Sequence, residues 1–156
     1  MIKKNFDCCI GDFSQAVRYF SRQKKLDNPE NCLNTELRYL APEILNKNYD
    51  LANFESYRMS DVYSLSLVFW VLANRCEVKM ESEYEEPYEK ELNGADYSWE
   101  NMMELIITKK CRPRIKDEWK ADPVLKTLSQ VMMECWNPNP TVRLTSLRIK
   151  KTLMKL

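Results

Sequence analysis

The sequence predicts an α+β chain, mainly α-helical, with a short β-hairpin near its N-terminus. Three observations predict it. Val62 to Cys76 is apolar nearly all round, as in a helix at the middle of a core. Asp122-Pro123 is an N-cap with a first-turn proline, and Val124, Leu125, Leu128, Val131, Met132 and Cys135 follow at helical spacing. Cys8-Cys9-Ile10 and Ala16-Val17-Arg18-Tyr19-Phe20 are β-prone runs on either side of Gly11-Asp12-Phe13-Ser14, which reads as the turn between two short strands.

The remaining elements follow in order. Ser21 to Leu37 is polar, contains Pro29 and asparagines 28, 31 and 34, and reads as a long functional or mobile loop. Pro42-Glu43-Ile44-Leu45 starts a short helix with proline in its first turn. Asn46 to Ser60 reads as loop, and Asp61 then suits the N-cap of the apolar helix. Glu77 to Asp96 carries six glutamates between positions 81 and 91 and reads as a solvated loop. Ser98 caps a helix from Trp99 to Lys110, which Cys111-Arg112-Pro113 ends. Asn137-Pro138-Asn139-Pro140 breaks the Asp122 helix, and Thr145 caps the last one, whose apolar residues include Leu147, Ile149, Leu153 and Leu156. Methionines in these stripes are core filler.

Composition narrows the chemistry. The chain has 156 residues, enough for one domain with a core. A net charge of +1 gives nucleic-acid binding no electrostatic support. With no histidine, a Ser-His-Asp triad, a Cys-His pair and histidine metal ligands are excluded. Two glycines cannot build a glycine-rich phosphate loop. The six cysteines include no C-x-x-C, and they read as reduced cytosolic thiols, mostly buried. Met1 to Asp7 has no signal-peptide core, and the apolar stretch from Val62 to Ala73 is too short to span a bilayer.

The motifs, taken together, resemble a known family. In order they are Asp12-Phe13-Ser14, a polar loop, Thr35, Arg38-Tyr39-Leu40-Ala41-Pro42-Glu43-Ile44-Leu45, Asp61-Val62-Tyr63, Leu67-Val68-Phe69-Trp70, Arg112-Pro113, Glu134-Cys135-Trp136 and Arg143-Leu144-Thr145. This order resembles the C-terminal lobe of a protein kinase from the D-F-G position onward. The closing Arg143 to Leu153 is similar to receptor serine/threonine kinases of the TGF-β, activin and BMP group, type I more than type II. The resemblance implies a kinase-like fold for residues 1–156, with 12–43 as the activation segment and 61–76 as the central buried helix.

The resemblance also implies roles. Asp12 would bind the Mg²⁺ that bridges ATP phosphates; on residue type alone it is a turn cap. Thr35 would help place the substrate hydroxyl; on residue type alone it is a loop threonine. Glu43 and Arg143 would form a buried ion pair anchoring the substrate loop. Asp61 would receive backbone N–H groups from the catalytic loop, or act only as a helix cap. Ser14, Asn34 and Ser66 stand where the family has glycine, and Val71 where it has glutamate. Tyr19, Ser21, Thr35 and Tyr39 are candidate phosphorylation sites.

The implied parent uses ATP and Mg²⁺ to phosphorylate protein serine or threonine, with Smad-type substrates and type II receptor partners. It would sit on the cytoplasmic side of the plasma membrane as a single-pass receptor. These 156 residues hold no catalytic H-R-D aspartate and no ATP-binding lobe, so the expectation is a fragment without kinase activity that binds neither cofactor tightly. The alternative is a truncated, non-catalytic interaction module. Either way, the face that would meet the catalytic loop should expose apolar surface.

Overall fold

The computed structural model describes residues 4, 7–27, 36–48, 50, 52–76 and 84–156. Strands β1 (Arg18–Phe20) and β2 (Lys25–Asp27) form an antiparallel hairpin, with Tyr19 opposite Leu26. Helices follow: α1 (Pro42–Leu45), α2 (Phe54–Arg75), α3 (Glu89–Leu92), α4 (Trp99–Met103), α5 (Pro123–Cys135) and α6 (Ser146–Leu153). The architecture is the expected one, mainly helical with a two-stranded antiparallel sheet.

The hairpin is not the one expected. Cys8-Cys9-Ile10 is no strand, although Cys8 makes a single bridge. The partner of β1 is Lys25-Leu26-Asp27, inside the stretch read as loop. In that triplet only Leu26 is buried, so a single apolar residue sets the face and leaves almost no period to read.

Helix α2 starts earlier than expected. Asn53 caps it, its side chain accepting from the Glu55 N–H, and Asp61 lies within the helix instead of at its N-cap. The first turns are stabilised from outside and along the surface. Phe54 stacks on Tyr19 at 4.2 Å between ring centroids, and Arg58 pairs with Glu55 at 2.7 Å. Tertiary stacking extends the helix through a stretch with no apolar stripe.

Helix α2 is the axis of the core. Tyr63, Leu67, Trp70 and Ala73 face a cluster with Ile44, Leu45, Met102, Ile106 and Met132. Val62 joins Val131, Cys135 and Ile149 in a second cluster. Ser66 is fully buried and donates from Oγ to the Tyr63 carbonyl at 2.6 Å, so its hydroxyl is satisfied inside the helix. Val68 and Leu72 remain about half exposed, an open apolar strip on an otherwise central helix.

Three other caps fall where the sequence places them. Ser98, Asp122 and Thr145 each accept a backbone N–H of the helix that follows. The Trp99 helix does not run on as one α-helix, however. From Glu104 to Thr108 it widens into a π-helical turn that buries Leu105 and Ile106 together. The thiols also differ from expectation: Cys8 and Cys76 are exposed, Cys9 and Cys111 are intermediate, and only Cys135 of the described cysteines is buried. Cys8, Cys76, Cys111 and Cys135 form no disulfide. No described helix is long and apolar enough to cross a membrane.

Candidate functional site

The site is built where the segment from Glu36 to Leu45 lies across α2. Pro42 opens α1, its ring preset for helical φ and its missing N–H unneeded there. This sets Glu43 in the first turn, pointing toward the C-terminal part of the chain.

Glu43 meets Arg143. The guanidinium donates to both carboxylate oxygens, at 2.6 Å to Oε1 and 2.7 Å to Oε2. Arg143 also donates to the Met59 carbonyl at 2.8 Å and to the Asn137 carbonyl at 2.9 Å. Its side chain is fully buried, and that of Glu43 is 9% exposed. One arginine therefore ties together α1, α2 and the Asn137 turn. A planar fork with several donors can do this, and a lysine cannot.

Two cations lie close to the Tyr63 ring. The Arg143 guanidinium sits 5.2 Å from its ring centroid and that of Arg112 sits 5.3 Å away. Arg112 is itself held by the Trp136 carbonyl at 2.9 Å. The Tyr63 hydroxyl shares a 2.5 Å hydrogen bond with the Tyr88 hydroxyl. Burial pushes the pKa of both phenols up.

Tyr88 belongs to the acidic stretch read as a solvated loop. There the structure corrects the expectation. Pro87 and Tyr88 are fully buried, and Glu89–Leu92 is helical. The sequence carries only a weak signal there, since Pro87-Tyr88 interrupts the run of glutamates with two uncharged residues, one of them aromatic.

The same stretch grips Arg38. Glu86 pairs with its Nε at 2.8 Å, and the Pro87 carbonyl accepts from it at 3.2 Å. Tyr97 lies under its guanidinium at 4.3 Å, and the Arg38 backbone N–H donates to the Tyr97 hydroxyl. Burial, followed by the hydrogen bond to Glu36, raises the Tyr97 pKa. From α2, Ser64 Oγ donates to the Tyr39 carbonyl at 2.7 Å. Both sides of the Arg38–Glu43 segment are thereby fixed.

Asp61 opens onto a recess of about 290 Å³ lined by Gln15, Glu36, Tyr39, Tyr57 and Ser60. The carboxyl is exposed, yet the surrounding walls displace enough water to raise its pKa. Desolvation is the one cause of that shift, and no described residue is seen to donate to the carboxylate.

Asp12 lies apart from Glu43 and Arg143 in a turn of its own. It adopts φ 60°, and Ser14 donates to its Oδ1 from Oγ at 2.7 Å and from N at 3.3 Å. The Ser14 hydrogen bonds hold its pKa below the ordinary carboxylate value. No set of three or more metal-ligating side chains occurs among the described residues. Asp12 offers one exposed carboxylate, held by Ser14, and a Mg²⁺ site needs several oxygens in octahedral array, so the described residues by themselves do not complete one. Thr35 and Asn34 lie outside the described residues.

The chain matches the family of protein tyrosine and serine/threonine kinases over residues 1–153. Among curated proteins it is 39% identical over 157 aligned positions to the TGF-beta receptor type-1 of Rattus norvegicus and of Homo sapiens. It is 36% identical to the activin receptor type-1C of Rattus norvegicus. Each alignment covers 100% of this chain, but 31% of the TGF-beta receptors and 32% of the activin receptor. The chain thus spans about a third of the length of the relatives it matches.

Proposed function

This chain belongs to the protein tyrosine and serine/threonine kinase family, and from that premise we propose that its 156 residues form the part that positions protein substrate in a receptor serine/threonine kinase of the TGF-β type I group. The observation that carries the reading is the Glu43–Arg143 pair, which fixes the Ala41-Pro42-Glu43 loop to the helical body. Residues 12–43 act as the activation segment, with Thr35 at the substrate hydroxyl, and α2 (Phe54–Arg75) as the central helix. The unpaired Asp61 carboxylate, set in a recess, is suited to accept backbone N–H groups from a catalytic loop.

In the whole protein this part would serve ATP-dependent phosphorylation of protein serine or threonine. Smad-type substrates, type II receptor partners and a place on the cytoplasmic side of the membrane belong to the same reading. Asp12 would supply one Mg²⁺ ligand there, the other oxygens coming from outside these residues. The chain as it stands positions but does not transfer. Phosphoryl transfer needs a phosphate-cradling loop, a lysine and the catalytic aspartate in place together.

A chimera tests the proposal. These residues replace the matching third of the rat TGF-beta receptor type-1, and serine/threonine phosphorylation is assayed. Activity that depends on Arg143 is expected; a folded, ATP-binding chimera without transfer would overturn the reading. Calorimetry on the 156-residue chain tests the second claim, and magnesium-dependent ATP binding in the micromolar range would sink it.

A further inference from the structure

Helix α6 has two apolar stripes. One is internal: Ile149 is buried, and Leu153 packs beside it against Val62, Val131 and Cys135. The other faces outward. Leu147 is 59% exposed and Met154, seven residues on, is 74% exposed. Met154 is the C-cap of α6 and keeps a near-helical φ of −70°, so at about 100° per residue it follows Leu147 by two turns and shares its edge, opposite Ile149.

Cations flank this outer stripe. By the same helical angle, Lys150 lies on one side and Lys151 and Arg148 lie on the other, with Lys155 in the turn just past the helix. All are exposed, and none has an ion-pair partner among the described residues. No aspartate or glutamate follows Glu134. An overall charge of +1 therefore hides a strongly basic face.

We propose that the outer face of α6 is a docking surface for an anionic phospholipid bilayer. Charge selects an anionic partner, and shape selects the bilayer. The face is the convex side of a single helix, with its apolar tips protruding. The recesses beside Trp70 and Trp119 and beside Asp61 have no α6 residue in their walls. A peptide needs a groove to bury its side chains. A bilayer instead receives protruding apolar tips between headgroups, while flanking lysines contact the phosphates. The proposal needs neither ATP nor phosphoryl transfer, so its failure would leave the kinase reading intact.

The test is sedimentation of the 156-residue chain with phosphatidylcholine vesicles, neat or containing about 30% phosphatidylserine. Partition is expected only with the anionic vesicles and should weaken as salt is raised. Lys151→Gln with Lys155→Gln should lower it by about tenfold or more, since each cation near such a surface is worth roughly fivefold. Leu147→Ser with Met154→Ser should also lower it. All four substituted residues are exposed, and matched thermal melts will verify the fold. Equal partition to neutral vesicles, or unchanged partition of both double variants, would overturn the proposal. So would α6-dependent binding of a polyglutamate peptide by a chain that ignores the vesicles, which would point to an acidic protein partner.

Discussion

Glu43 and Arg143 lie 100 residues apart in sequence and meet through two parallel charged hydrogen bonds of 2.6 and 2.7 Å. The pair is buried, and the guanidinium also donates to the Met59 and Asn137 carbonyls. Arg143→Ala would strand the Glu43 carboxylate and two carbonyls. A loss of about 3–5 kcal/mol in denaturant-derived stability is expected. Arg143→Lys should recover only part of it, because an ammonium cannot make the bidentate contact.

Asp61→Asn should do the opposite. Desolvation raises the Asp61 pKa, so ionisation costs free energy in the folded chain. Its folded pKa lies above the unfolded one, and its contribution is therefore favourable at low pH and lost as pH rises through the folded value. At neutral pH the asparagine variant should melt no lower than the parent chain. A clear fall in melting temperature would show a partner for the carboxylate.

Alkali should unfold the protein through its tyrosines. Tyr63 and Tyr88 share a buried hydrogen bond, and burial raises both pKa values. Arg112 and Arg143 act in the other direction on Tyr63 without reversing its shift. With folded values above the unfolded value of about 10, stability is intact below that pH and falls as pH rises beyond it. Tyr88→Phe should cost about 1–3 kcal/mol at neutral pH by leaving the Tyr63 hydroxyl unpaired, and should flatten the alkaline decline. Denaturant midpoints across this range, with absorbance of tyrosinate, measure both.

Thiol reactivity should sort by position. Burial, with Glu134 adding to it, pushes Cys135 up to about 12. Iodoacetamide near neutral pH should modify the exposed Cys8 and Cys76 and spare Cys135 until the chain unfolds. Mass spectrometry before and after denaturation reads this directly.

Tyr97→Phe removes the hydroxyl that bridges Glu36 and the Arg38 backbone. Faster amide hydrogen exchange is expected at Arg38 and its neighbours, with the Glu43–Arg143 end unchanged. Exchange that stays slow at Arg38 would mean that Glu86 and Pro87 suffice to hold it.

Much of the site is legible in the sequence, but by two different routes. Ser98, Asp122 and Thr145 are readable because a cap acts on N–H groups two or three residues away. Glu43 and Arg143 are readable only through a resemblance, since no local rule links positions so far apart. Tyr88 was missed because six neighbouring glutamates outweigh one Pro-Tyr pair in any window average. The early start of α2 has a local signal too, the Asn53 cap, but the apolar run that marks the helix begins only after Asp61, and the Phe54–Tyr19 stack that supports the first turn is a long-range contact.

By itself the sequence determined the helical class, the caps at Ser98, Asp122 and Thr145, and the family, all of which rest on residues close in the chain or on a motif order. The tertiary structure alone decided which strand pairs with β1, that Asp61 lies inside a helix, and that Pro87, Tyr88 and Tyr97 reach back to hold the segment before Glu43. The physical reason is range. Capping and periodicity act within a turn or two, whereas stacking, buried ion pairs and shared hydroxyls act between segments that only the completed fold brings together.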